Sequence, residues 1–198
     1  MIINLFIKVY LHHLFFSYLI FIHLDTSKFL IQLLNFRGKI MKKQIAIQDT
    51  YGERFQYCWG CGPKNDAGMH LKSYPSEDGE SVTCKVIPDE HFTGGVPANL
   101  FGGMIAMIFD CHGTASAAWF KHRDKGLELT EDTVIGRFIT ARLEVDFKKP
   151  TPMNSEVKVT ATAEEIGDRK VIVDMVLEAE GEVRAKAKMV AVAVKDNM

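Results

Sequence analysis

The chain has 198 residues, 47% of them hydrophobic and 25% charged, which suits one domain with a substantial core and leaves little for a second. A formal net charge of −1, with no cluster of Lys and Arg interleaved with aromatics, excludes the electrostatic footprint of a nucleic-acid binder. Four cysteines, Cys58, Cys61, Cys84 and Cys111, are too few and too unevenly placed for the disulfide framework of a small secreted protein, so the expected compartment is reducing and cytoplasmic.

Residues 1–24 contain no acidic residue and a single lysine, Lys8, among Ile, Leu, Phe and Tyr. That length is enough for a membrane anchor, although His12, His13 and His23 interrupt it and no small-residue cleavage site follows. A second reading comes from the genetic code. Arg37-Gly38-Lys39-Ile40-Met41 can be encoded by a purine-rich ribosome-binding sequence followed by ATG, and the bias before it resembles translated AT-rich spacer. We favour the second: residues 1–40 are a non-native extension, and residues 41–198 form a single domain. No membrane partner is expected unless residues 1–24 are genuinely translated.

Residues 42–57 are polar and mixed and carry little signal. Cys58-Trp59-Gly60-Cys61-Gly62-Pro63-Lys64-Asn65 then punctuates the chain. A Cys-x-x-Cys pair is half of a structural zinc site, but Cys84 and Cys111 are isolated in sequence, so the segment reads as a tight turn with small buried cysteines and no metal. Residues 69–74 and 81–87 are strand-like, with Ser76-Glu77-Asp78-Gly79 as the hairpin turn between them.

Residues 99–120 read as one long helix, proline-free after Gly102-Gly103, with Asn99 near its cap. Apolar and small residues cover every face, so other structure must surround it. Asp110 is the one formal charge in the helix, a position that calls for a partner or a use. His112, two residues on, faces the other side and reads as a hydrogen-bonded core residue. Residues 121–131 read as an exposed loop.

Four alternating runs follow. Ile139, Ala141, Leu143, Val145 and Phe147 mark the first, with Thr140 on its polar side, and Pro150 and Pro152 end it. Runs at 157–163, 171–177 and 183–194 follow, joined by turns at Gly167-Asp168 and Glu180-Gly181, which predicts a meandering antiparallel sheet. One buried helix plus this sheet gives an α+β fold in which a curved antiparallel sheet wraps a single long central helix.

Three landmarks occur in order: Cys-x-x-Cys-Gly-x-x-Asn at Cys58, Cys61, Gly62 and Asn65; Gly102-Gly103 followed by Asp110; and the strand from Ile139 through Thr140 to Lys149-Pro150. Together they resemble the hotdog-fold acyl-CoA thioesterases of the PaaI and thioesterase superfamily member 4-like type. The resemblance spans residues 57–194 and implies hydrolysis of a thioester by an aspartate-activated water at a dimer-interface site. It implies catalytic roles for Gly103, whose N–H would polarise the carbonyl, for Asp110 as general base, and for Thr140, which would hold the water or Asp110. Asn99, Phe101 and Gly102 would line the substrate site. The family's usual His-Gly-Gly is Phe101-Gly102-Gly103 here, which leaves the backbone N–H as the polarising group.

Gly103 and Asp110 are seven residues apart, roughly 10 Å along a helix, too far to serve one carbonyl from one subunit. The family's answer is a homodimer or dimer of dimers, the aspartate of one subunit facing the helix start of the other. Coenzyme A is then part of the substrate, and no cofactor or metal is expected. A hotdog protein that binds acyl-CoA or an acyl chain without turnover is the alternative.

Overall fold

The computed structural model describes residues 44–195 together with Lys28. The chain divides into two compact units, Met1–Gln44 and Ile45–Met198, and the second contains all but two of the described residues. The two readings of residues 1–40 lie, Lys28 aside, outside the described residues. No helix among the described residues is long and apolar enough to cross a membrane.

Two short 3-10 turns, Ile47–Thr50 and Glu53–Phe55, open this unit where the sequence carried little signal. Ile47, Gln48, Thr50 and Tyr51 are nevertheless buried. Six strands follow: β1 Ser73–Pro75, β2 Ser81–Val86, β3 Phe138–Phe147, β4 Val157–Ile166, β5 Lys170–Ala179 and β6 Glu182–Ala193. They form one antiparallel sheet in the order β1-β2-β4-β5-β6-β3. A simple meander through the last four strands is therefore incorrect. β4, β5 and β6 are joined by tight turns, with Gly181 at φ 75° in the last. β3 instead pairs with β6, and the Pro150 and Pro152 segment carries the chain across to put β4 beside β2. The prolines break the run and prevent a tight hairpin back onto β3.

The helix α1, Gly102–Asp124, packs against all six strands. It starts three residues later and ends four residues later than residues 99–120, because Asn99 is held in a bridge to Pro152 and the charged residues to Asp124 continue the helix. Gly126, at φ 71°, ends it. Beneath α1, Val157, Val159 and Ala161 on β4, Val171, Val173, Met175 and Leu177 on β5, and Ala185, Met189 and Ala191 on β6 form the core. The contact is closest at Gly113, where a Cβ would lie 2.7 Å from the end of Met189. One long helix held against a single antiparallel sheet is the hotdog fold.

The helix is not enclosed throughout. From Cys111 to Phe120 every residue is buried, but Gly103 is exposed and Ala106, Met107 and Asp110 are half-buried. Those four positions have i, i+3, i+4, i+7 spacing and share one face. An open stripe thus connects the helix start to Asp110.

Candidate functional site

The first turn of α1 begins at Phe101, which supplies no side-chain cap. Asn99 does not cap the helix: its backbone N–H donates to Val96 and its carbonyl accepts from Gly94. The leading N–H groups of a helix have no intrahelical acceptor, and the macrodipole adds partial positive charge there. Gly102 and Gly103 carry these groups. The Phe147 ring lies over Gly102, at 3.5 Å from where its Cβ would be, and the Phe101 ring covers Gly103 at 2.4 Å from the same point. Both rings are 55% exposed, so an apolar rim surrounds the open end of the helix.

Two turns along, Asp110 Oδ1 accepts a hydrogen bond of 2.5 Å from Thr140 Oγ1. Both residues belong to the same chain, so Thr140 faces the helix and not the polar side of its strand as its alternation suggested. The cause is a β-bulge between Thr140 and Arg142 in β3. An extra residue switches which side chains face the sheet's inner surface. Phe138 and Thr140 face α1 before the bulge, Leu143 and Val145 after it, while Ile139 is 45% exposed. Thr140 also lies 3.9 Å from Met189 Sδ, beneath the helix rather than on the polar side of its strand. The bond occupies one carboxylate oxygen, and among the described residues no hydrogen bond to the other is found.

His112 is fully buried on the opposite face, its Nδ1 2.9 Å from Ser73 Oγ. Gln48 completes the group, donating to Ser73 Oγ and accepting from Ser73 N–H. Burial lowers the His112 pKa to about 4, so the ring is neutral near pH 7 and serves structure. Thr114 and Ser116 bond back to helix carbonyls. An open groove of about 650 Å³, lined by Gly52, Phe55, Tyr57, Val134 and Arg137 among others, contains none of these residues.

The cysteine segment departs from its sequence reading. It is a tight turn, as expected: Gly62 N–H donates to the Cys58 carbonyl, Leu71 N–H to Gly60, and Asn65 Nδ2 to Tyr57. But Cys111 is not isolated. Its sulfur lies 3.8 Å from Cys58 Sγ, and the sulfurs of Cys58, Cys61 and Cys111 are all within 4.8 Å of one another. All four cysteines are free thiols. A contact across 53 residues leaves no trace in local spacing. The available signal was Gly60, whose missing side chain makes room for Cys111 on the helix.

Residues 98–186 match the family described as Thioesterase superfamily. Among solved structures, a thioesterase superfamily protein from Shewanella loihica PV-4 is 34% identical, with 63% of this chain and 91% of that one covered and a TM-score of 0.51. The chain belongs to the thioesterase superfamily. A second thioesterase superfamily protein, 18% identical, covers 85% of this chain and 78% of its own at a TM-score of 0.55. An uncharacterized protein from Pyrococcus horikoshii, 14% identical, covers 77% and 96% at 0.53. At such identities these two bear on the fold alone. No curated protein matches the chain. The superfamily match begins at Ala98 and so includes the helix start, Asp110 and Thr140.

Proposed function

We propose that this superfamily member is an acyl-CoA thioesterase whose site is completed by two copies of the chain. The observation that carries this reading is the Asp110–Thr140 pair on the open stripe of α1. Asp110 receives a proton from water as the water oxygen attacks the thioester carbon. The carbonyl oxygen gains charge and is held by Gly103 N–H at the helix start of the partner copy. Collapse of the tetrahedral intermediate breaks the C–S bond, and the proton on Asp110 passes to the departing coenzyme A sulfur. Thr140 fixes the carboxylate so that its second oxygen faces the water. Gly102, lacking a Cβ, admits the substrate to the backbone, and Phe101, whose ring packs over Gly103, lines its approach with the Asn99 segment.

Two features support pairing of copies. β3 is a ten-residue strand whose outer edge has no partner strand among the described residues. An unpaired edge of this length invites another strand. The open helix stripe is the second, because Asp110 and Gly103 are roughly 10 Å apart along it and cannot meet one carbonyl.

Steady-state hydrolysis over a panel of acyl-CoA substrates tests the reading. Asp110→Asn is expected to lower kcat by roughly 10²–10⁴-fold, the range of a lost general base, with substrate still bound. Saturable acyl-CoA binding without turnover by the wild type for any acyl group would instead identify a binding protein, which Phe101 at the family's histidine position favours.

A further inference from the structure

The three gathered thiols have no part in that chemistry. Their arrangement has three features of a metal site. The first is distance: in a tetrahedral zinc site with Zn–S of about 2.3 Å, sulfurs are separated by roughly 3.8 Å. Cys58 and Cys111 are separated by 3.8 Å, and Cys61 completes a triangle with no edge above 4.8 Å. The second is the turn. Gly62 N–H closes it on the Cys58 carbonyl at 2.7 Å and Leu71 N–H holds the Gly60 carbonyl at 3.0 Å, so the backbone fixes Cys58 and Cys61 on the side that meets Cys111. The third is space: a Cβ at Gly60 would be 2.5 Å from Cys111 Sγ, and one at Gly62 would be 2.4 Å from the Cys58 backbone N. Gly60 makes room for the sulfur on the helix, and Gly62 lets the turn close on its own backbone.

The surroundings complete the case. Tyr51 is 3% exposed, and neither its hydroxyl nor Arg137 Nη1 has a hydrogen-bond partner among the described residues. The Arg137 guanidinium lies 4.7 Å over the Tyr51 ring and is close enough for its charge to act on Cys61. Three thiolates and a divalent ion carry one net negative charge, which the Arg137 guanidinium offsets. Soft thiolate donors select zinc over hard divalent ions.

We propose that Cys58, Cys61 and Cys111 bind one Zn²⁺ ion, with a water molecule in the fourth tetrahedral position, and that the ion staples the Cys58–Cys61 turn to α1, one residue from Asp110. On binding, each thiol exchanges its proton for a sulfur–zinc bond, so up to three protons are released and nothing is oxidised or reduced. This proposal is independent of the acyl-CoA reading, because metal content is measured without turnover.

The test uses the full chain, produced with zinc in the medium and analysed for metal by mass spectrometry. About one zinc per chain is expected, in keeping with a single site. Co²⁺ added to the metal-free chain should give a strong sulfur-to-cobalt charge-transfer band and the visible bands of tetrahedral cobalt. Cys58→Ser and Cys111→Ser should lose the band or weaken Co²⁺ binding at least tenfold, and Cys84→Ser, on β2 away from the cluster, should retain it. If Cys111→Ser fails to fold, the half-buried Cys58 gives the decisive variant. Absence of zinc together with absence of the cobalt band in the wild type would overturn the site. So would a band that persists in Cys58→Ser, or an intact mass showing a disulfide among these three cysteines in place of metal.

Discussion

Thr140 does for Asp110 what sequence spacing could not show. A hydrogen bond to a charged group contributes about 1.5–3 kcal/mol, and here it also sets which carboxylate oxygen is free. Thr140→Val should therefore lower kcat by roughly 10-fold or more, whereas Thr140→Ser, which keeps the hydroxyl, should retain most activity. Equal loss in both variants would show that packing, not the hydroxyl, was at stake. His112 makes a separate prediction about pH. Its folded pKa of about 4 lies below the ordinary 6.5, so the unfolded chain takes up a proton first as the pH falls. Its neutral burial has no linked effect above pH 6.5, and stability is lost as the pH drops from there toward 4, by about 3 kcal/mol in full. Urea midpoints across that window should fall more steeply for the wild type than for His112→Gln. Parallel slopes would remove His112 as the cause.

Among the elements, the Cys58–Gly62 turn has little room for change. At Gly62 a Cβ would meet the Cys58 N and O atoms and the Gln56 carbonyl at 2.4–2.7 Å, all of them backbone atoms that cannot step aside. Gly62→Ala should lower stability by about 1–3 kcal/mol, measured as a shift in urea midpoint, through overpacking. Gly95→Ala, where a new Cβ meets nothing within 4 Å, should leave the midpoint in place. The elements also show how far the sequence could be read. The absence of proline and the apolar run located α1, and alternation located β4, β5 and β6, because these signals are local. The bulge at Thr140–Arg142 was not legible, since one extra residue changes which face each side chain takes while keeping every residue type strand-like. That single residue reversed the reading of Thr140. Asp110 was picked out as the lone charge in its helix, but its half-open surroundings depend on which strands cover α1, a matter of topology rather than composition.

For the whole molecule, the issue is whether one chain or two make a site. Asp110 and Gly103 lie on the same stripe of one helix, and no rotamer closes a gap of roughly 10 Å. If two copies complete the site, defects placed on different subunits complement one another. On the proposed mechanism Asp110→Asn removes the base, and Gly103→Val drives a branched side chain into the Phe101 ring and displaces it at the helix start where the thioester carbonyl would be held. Each variant alone should be inactive. Unfolded together and refolded at equal concentration, they form mixed dimers with one site carrying both defects and one carrying neither. Random pairing makes half of the dimers mixed, each with one working site of two, so about a quarter of wild-type activity should return. A site contained in one chain predicts no recovery, because every chain in the mixture carries a defect. Recovery near a quarter, absent when the variants are mixed without unfolding, would place Asp110 opposite Gly103 of the partner copy.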